Sequence, residues 1–132
     1  MSNSLWHVEH IGLPATDPQT LADWYVRVLD GTVKWSDENI PLFFVEIPGG
    51  LVLEIGPCGR VVPDVRDNSV AGIRHFALRV DSIETAREEL SKRGVGFPDD
   101  IKPAGGGGRV LFFADAEGNL LHLVDRPAGS AL

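Results

Sequence analysis

The alternation of apolar and polar positions divides the chain into short strands and two amphipathic helices. A strand is predicted at residues 8–13. Asp17-Pro18 then combines a helix-capping residue with proline at the first helical position. Apolar side chains follow at spacings of three and four up to Asp30-Gly31, which is typical of a helix end. Three more strands are predicted at residues 32–35, 42–47 and 51–55.

The same order of elements begins again in the second half of the chain. A helix is predicted between the Asp81-Ser82 cap and the Arg93-Gly94 stop. Strands are predicted at residues 73–80, 95–97, 109–114 and 120–124. The letters repeat as well, because HIGLPATD parallels HFALRVDS and GGLVLEIG parallels EGNLLHLV. Each half is therefore predicted to fold as β-α-β-β-β.

This repeat predicts the fold class and the domain organisation. We expect an α+β fold in which two β-α-β-β-β modules form an open, cupped barrel, since the sheet face away from each helix stays uncovered. A small-molecule ligand is expected in the cup. The chain is expected to be a single domain over residues 1–132. It comprises modules at 5–56 and 72–126, a linker at 57–71 and a tail at 127–132.

Composition and charge exclude several classes of function. The 132 residues include 19 acidic and 12 basic side chains, a net charge of −7, and no cluster of Lys and Arg, which argues against nucleic-acid binding. No apolar run approaches the roughly 18 residues of a membrane span, and the first residues lack the pattern of a secretory signal. The single cysteine, Cys58, indicates a reducing compartment. We therefore expect a cytoplasmic protein.

Four side chains with metal-binding chemistry are predicted to share the cup side of the strands. Residues two apart in a strand lie on one face, so the apolar set of each strand faces the helix and its neighbours face the cup. The neighbours are His10, Glu54, His75 and His122. Each alone is better explained as a polar residue hydrogen-bonded in a pocket, but the set of four favours one divalent ion, Zn, Ni, Co, Fe or Mn. A substrate with two neighbouring oxygens could chelate an ion held this way.

Two further features have open interpretations. Arg79 is expected on the cup side, where it would bind a carboxylate or phosphate of the substrate or form a salt bridge at the barrel end. Gly105–Gly108 is either a mobile lid or a plain connector. Cys58 is given no catalytic role, because no partner histidine is identified for it.

Longer motifs resemble a known superfamily. The segments VEHIGLPATD, WYVRVLDG, LVLEIG, RHFALRVDSIETA and GGRVLFFADAEGNLLHLV resemble the vicinal oxygen chelate superfamily over roughly residues 6–126. That group includes glyoxalases, methylmalonyl-CoA epimerases, extradiol dioxygenases, fosfomycin-resistance transferases and bleomycin-binding proteins. The resemblance implies that the four residues above occupy the metal positions. His122 departs from glyoxalases, which have a glutamate there that helps to move the substrate proton, and this argues against lactoylglutathione lyase activity.

The leading hypothesis is a metal-dependent lyase or isomerase of the glyoxalase and epimerase type, with Glu54 or a metal-bound water as the base. One alternative is an Fe(II)-dependent extradiol dioxygenase, in which His10, His75 and Glu54 form the metal triad. A second is a non-catalytic small-molecule or drug-binding protein of the bleomycin-resistance type. A homodimer is expected in each case, since an open cup leaves exposed sheet edges.

Overall fold

The computed structural model describes residues 4–62 and 67–132, so part of the predicted linker, residues 63–66, lies outside the described residues. The chain divides into two compact units, residues 1–61 and 62–132. In the described residues each unit holds one four-stranded mixed sheet and one helix in the order β-α-β-β-β. The predicted α+β class and the two modules are confirmed.

The first unit builds its sheet around the parallel pairing of its first and last strands. Its elements are β1 (Ile11–Ala15), α1 (Pro18–Leu29), β2 (Thr32–Ser36), β3 (Phe43–Glu46) and β4 (Val52–Pro57). The strand order is β1-β4-β3-β2, with β1 parallel to β4 and the other neighbours antiparallel. Every predicted element of this half is present, with ends shifted by a few residues.

Helix α1 begins and ends where the sequence indicates. The Asp17 side chain accepts a hydrogen bond from the Thr20 backbone N–H at 3.1 Å, and Asp30 closes the helix in the left-handed conformation with φ of 58°. Gly31 follows without a side chain because a Cβ there would lie 2.9 Å from Val45 Cγ1. The helix buries Pro18, Leu21, Ala22, Tyr25, Val28 and Leu29. Its attachment to the unit is therefore largely apolar.

The second unit repeats this topology. Its elements are β5 (His75–Arg79), α2 (Ile83–Lys92), β6 (Lys102–Pro103), β7 (Arg109–Ala114) and β8 (Leu120–Asp125). The strand order is β5-β8-β7-β6, with β5 parallel to β8. The Ser82 side chain caps α2 by accepting from the Thr85 backbone N–H at 3.3 Å.

The predicted strand at residues 95–97 is wrong. The edge strand is β6, which pairs with β7 through Lys102 and Pro103. Val95 instead closes the end of α2, because its N–H donates to the Leu90 carbonyl at 3.0 Å, and Phe97 packs on Phe113 with ring centroids 5.5 Å apart. The apolar character of this segment reflects packing in the core rather than strand pairing.

Helix α2 is attached by a charged network as well as by apolar contact. Only Ile83 and Leu90 of this helix are buried. Arg109 donates to both carboxylate oxygens of Glu84 at 2.7 and 2.8 Å and to those of Asp125 at 3.2 and 2.6 Å. Asp125 also accepts the Ile83 backbone N–H at 3.2 Å. The network joins the first turn of the helix to the two central strands of the sheet.

The predicted assignment of strand faces agrees with the burial of side chains. Leu53, Ile55, Leu121 and Leu123 have no more than 1% of their surface exposed, which places them in the cores of their units. The residues between them point to the opposite sheet face.

Among the described residues, neither helix has the length and apolar character of a membrane span.

Candidate functional site

In the first unit, His10 and Glu54 lie on the same face of the sheet, opposite the buried side chains. Glu54 is paired across the sheet with Gly12 on one side and Phe44 on the other, and His10 lies two residues before Gly12. His10 Nε2 is 3.7 Å from Glu54 Oε1. The His10 ring meets the Phe44 ring edge-on at 5.3 Å. Both polar side chains are about one-third exposed, so water and a ligand can reach them.

The proton on the His10 ring is placed by its neighbour in the sequence. His10 Nδ1 is 2.9 Å from Glu9 Oε1, and a carboxylate oxygen accepts a hydrogen bond, so Nδ1 carries the proton. In the neutral ring Nε2 then bears a lone pair. This lone pair and the Glu54 carboxylate face the same space at 3.7 Å, too far apart for a hydrogen bond. A cation between the two atoms would relieve their repulsion.

In the second unit, three rings meet on the equivalent sheet face. His122 is paired with Ala77 on one side and Phe112 on the other, and His75 lies two residues before Ala77. The ring centroids are 4.7 Å apart for His75 and His122, 5.6 Å for His75 and Phe112, and 4.9 Å for Phe112 and His122. Both predicted histidines therefore lie together beside an aromatic ring.

His122 is kept neutral by its surroundings. Only 7% of its surface is exposed, and this burial lowers its pKa. The hydrogen bond from Nδ1 to the Leu123 carbonyl, at 3.1 Å, acts against that pKa shift, while the nearby His75 reinforces it. Because a metal ion is bound by the unprotonated nitrogen of imidazole, a lowered pKa favours the ligating form.

The three histidines of the candidate site, His10, His75 and His122, present the same ring nitrogen. His75 Nδ1 is 2.7 Å from Asn68 Oδ1, so Nδ1 of His10, His75 and His122 each faces an oxygen acceptor. Nε2 is thereby left as the ligating atom of each ring, the arrangement expected of histidines that bind metal. Three imidazoles and a carboxylate are suitable donors for a divalent transition metal. The donor set therefore fits the predicted ion.

The structure brings these residues together in pairs. His10 lies with Glu54 in the first unit, and His75 lies with His122 in the second. Within neither unit do the described residues bring together three or more His, Cys, Asp or Glu side chains that could hold a metal ion. The four-residue site thus remains a prediction that requires both pairs.

Arg79 and the glycine-rich loop are both tied to the end of the second unit. Arg79 Nη1 donates to the Leu132 main-chain oxygen at 2.6 Å. Arg126 Nη1 donates to the carbonyls of Gly105 and Gly107 at 2.5 and 2.7 Å, so the loop is a hydrogen-bonded turn. In the predicted role of Arg79, its guanidinium would donate to a substrate with the N–H groups that this bond leaves over.

The residues that surround the candidate ligands are not among those predicted from the sequence. Phe44 and Phe112 lie in the middle strands of the two sheets, next to the predicted pairs. Strand alternation could have located them, because each precedes a buried apolar residue, Val45 or Phe113. Asn68 could not be found in this way, since it lies outside any regular element.

Similarity to known proteins identifies the family to which this chain belongs. Residues 7–123 match the model of the Glyoxalase/Bleomycin resistance protein/Dioxygenase superfamily, which is most of the chain. The chain belongs to this superfamily. Members of the superfamily with solved structures share its fold. The glyoxylase/bleomycin resistance protein/dioxygenase domain from Frankia sp. EAN1pec is 24% identical, with a TM-score of 0.71 and 96% of each chain covered.

Other proteins that are similar to this chain bind or act on different compounds. Human mitochondrial methylmalonyl-CoA epimerase is 23% identical over 93% of this chain and 77% of its own length. A mutant of the fosfomycin resistance protein FosX from Listeria monocytogenes, complexed with Mn(II) and 1S,2S-dihydroxypropylphosphonic acid, is 19% identical with a TM-score of 0.68, covering 95% of this chain and 94% of its own. The antibiotic-binding protein TnmS3 from Streptomyces sp. CB03234 is 22% identical with a TM-score of 0.70, covering 96% of this chain and all of its own.

Proposed function

We propose that this chain is a metal-dependent enzyme of the glyoxalase and epimerase type. It would bind a small substrate through two neighbouring oxygens and stabilise an enolate-like intermediate. The observation that carries the proposal is the common arrangement of the three histidines, whose Nδ1 atoms all face acceptors while Nε2 remains for a ligand. The similarity to an epimerase and to a fosfomycin resistance protein complexed with Mn(II) supports it.

One divalent ion, Zn, Ni, Co, Fe or Mn, would be held by His10, Glu54, His75 and His122. When bound, the ion would supply Lewis-acid polarisation of a substrate carbonyl. The proposal needs the two pairs to meet, either within one chain or between two chains of a homodimer. Each pair already has its side chains on one sheet face, so only the two faces have to be brought together.

Glu54 is the proposed base. It is the single carboxylate among the four residues, and its side chain is 38% exposed, so it can reach a C–H bond of a substrate lying on the open face. Removal of the proton next to a carbonyl leaves the negative charge on the carbonyl oxygen, and the protonated Glu54 can return the proton to carbon. Return to the opposite face, as an epimerase reaction requires, would need a second proton donor on that face.

The test combines metal analysis with proton exchange. Protein produced in metal-replete medium and purified without chelators is expected to contain about one divalent ion per chain. In deuterated water it should exchange the proton next to the carbonyl of an acyl thioester. Failure to bind any of the five metals at micromolar affinity would refute the proposal.

Two alternative functions predict different experimental results. An Fe(II)-dependent extradiol dioxygenase would consume oxygen with catechols instead of exchanging a proton. A binding protein without catalysis would bind a flat ligand and need no metal. The 53% exposed Trp35, whose ring lies 5.9 Å from that of Phe44, offers such a ligand an aromatic surface, and the similarity to TnmS3 is in line with this alternative.

We also propose a homodimer. Val8 and Ile73 precede His10 and His75 by two residues each and are 81% and 82% exposed, and the neighbouring Leu5 and Trp6 are exposed as well. Apolar side chains this exposed at the start of both edge strands suit contact with a second copy. Light scattering at high concentration should give twice the mass of the chain, and a monomer would contradict this.

A further inference from the structure

We infer that Asn68 is a positioning residue for His75, which it holds in the tautomer that presents Nε2 to a ligand. Asn68 Oδ1 lies 2.7 Å from His75 Nδ1, although the two residues are seven positions apart. Asn68 falls in the segment predicted to be a linker between the modules. The consequence for metal binding rests on the proposed function, whereas the tautomer of His75 does not depend on it.

The turn that carries Asn68 is closed by hydrogen bonds between its own residues. Asp67 Oδ1 accepts the Ser69 backbone N–H at 2.9 Å and the Ser69 hydroxyl at 2.7 Å. The Val70 N–H donates to the Asp67 carbonyl at 3.1 Å. The two hydrogen bonds from Ser69 lower the pKa of Asp67, so its carboxylate stays ionised and continues to accept them. Asn68 therefore projects from a closed turn rather than from a free linker.

The direction of the hydrogen bond decides which nitrogen of His75 is available. The amide oxygen of Asn68 can only accept, so Nδ1 of His75 carries the proton and the lone pair is on Nε2. Loss of the acceptor would allow the ring to adopt the other tautomer or to rotate. Residues that orient a ligating histidine in this way typically contribute a factor of about 10–100 to metal affinity.

The acceptors of the three histidines differ in charge. Glu9 offers His10 a carboxylate, whereas Asn68 offers His75 a neutral amide and Leu123 offers His122 a backbone carbonyl. A carboxylate makes the imidazole a stronger electron donor than an amide does. Replacing Asn68 with Asp should therefore preserve the tautomer of His75 and keep or raise its affinity for a metal.

The first experiment measures the tautomer in metal-free protein. Nitrogen-15 NMR of the histidine rings at a pH where they are neutral should show the proton of His75 on Nδ1. In Asn68→Ala, His75 should lose this preference while His10 and His122 keep theirs. The matched control is Asn39→Ala, because Asn39 is exposed and bonds Asp37 through its backbone N–H, which alanine retains. A wild-type His75 protonated on Nε2, or no change in Asn68→Ala, would overturn the inference.

The second experiment measures affinity for Zn²⁺ by competition with a chromogenic chelator. Asn68→Ala should bind Zn²⁺ about 10–100-fold more weakly than the wild type, while Asn68→Asp and Asn39→Ala should bind at least as tightly. An altered tautomer with unchanged affinity would overturn the positioning role. If the wild type itself binds no Zn²⁺ or other metal, the proposed function fails, and the NMR result alone decides whether Asn68 sets the tautomer.

Discussion

The two units have the same strand order and the same register around their candidate ligands, yet the paired side chains differ in character. His10 and Glu54 are about one-third exposed and include a carboxylate. His75 and His122 are both imidazoles, with His122 buried against Phe112. The shared topology therefore fixes where each pair lies, while the sequence of each unit sets the charge and exposure of the pair. Under the proposed function, the first pair would ligate the metal and transfer a proton, whereas the second pair would only ligate.

The two helices differ in a parallel way. Six side chains of α1 are buried, compared with two of α2, which depends on the ion pairs of Arg109 with Glu84 and Asp125. Apolar contact does not depend on pH near neutrality, whereas ion pairs of carboxylates do. The two units are therefore stabilised by different balances of apolar contact and ion pairing, and the stability of the second unit should respond more strongly to acid.

The largest expected effect concerns the carboxylate of the first pair. Glu54→Gln keeps the shape and one oxygen ligand but removes the base, so turnover should fall by about 10² or more while some metal remains bound. Turnover and metal content per chain are the measurements. Glu38→Gln, at an exposed position, should change neither. Full turnover with metal bound in Glu54→Gln would make Glu54 a ligand only.

Replacing His122 with Glu and Glu54 with His tests whether the two positions differ in burial. In metal-free protein, His122→Glu should lower the free energy of unfolding by about 1–3 kcal/mol, because a carboxyl group at a position only 7% exposed loses its hydration. Glu54→His should change it by less than about 0.5 kcal/mol, since the side chain is 38% exposed. Urea denaturation of both variants measures the two effects. Equal losses would show that the two faces do not differ in solvation.

The ion-pair network predicts an acid-sensitive contribution to stability. Arg109 holds the pKa of Glu84 at about 2, compared with 4.5 for a free side chain, and also lowers that of Asp125. Carboxylates with lowered pKa values stabilise the fold above their unfolded pKa values, and this stabilisation is lost as the pH falls through the folded values. Arg109→Gln should therefore lower the thermal midpoint at pH 7 by about 1–4 °C, a modest shift because the ion pairs are partly exposed to solvent.

The difference between wild type and Arg109→Gln should narrow as the pH falls from 4.5 towards 2. Arg87→Gln on the exposed side of the same helix is the control and should leave the midpoint nearly unchanged at every pH. A difference that stays constant down to pH 2 would show that Arg109 stabilises by packing and not through the carboxylates.

The smallest expected effect concerns the two phenylalanines. Phe112 contacts both histidine rings of its unit, whereas the Phe44 ring contacts the single histidine of the first pair. Phe112→Leu should therefore weaken Zn²⁺ binding by about 2–10-fold, and Phe44→Leu should weaken it less. The same chelator competition measures both. A larger loss of Zn²⁺ affinity in Phe44→Leu would contradict the expectation that the histidines of the second unit depend more on ring packing than the histidine of the first unit.

Much of the fold could be predicted because local chemistry decides it. The Asp17 cap and the turn at Asp30 set the ends of α1, and strand alternation placed His10, Glu54, His75 and His122 on the faces where they lie. These features depend on residues within one turn of helix or two positions of strand. The helix ends and strand faces can therefore be predicted from short segments of the sequence alone.

The remaining features depend on residues far apart in the chain. Arg109 is 25 residues from Glu84, and Ile83 is 42 residues from Asp125, so no local pattern connects them. The contact between Asn68 and His75 requires a specific turn next to the strand. The short β6 was missed because Lys102 and Pro103 have weak strand preferences and are held by pairing with β7.

The division into two units has a consequence for biosynthesis. All strands of the first sheet lie between residues 11 and 57, so its slow parallel pairing of β1 with β4 needs nothing from the second unit. At the usual rate of about 5–20 residues per second, the ribosome takes several seconds more to complete the second unit. The first sheet therefore has time to form during translation. The second unit must wait for Asp125, near its end, before the ion pairs that fasten α2 can close.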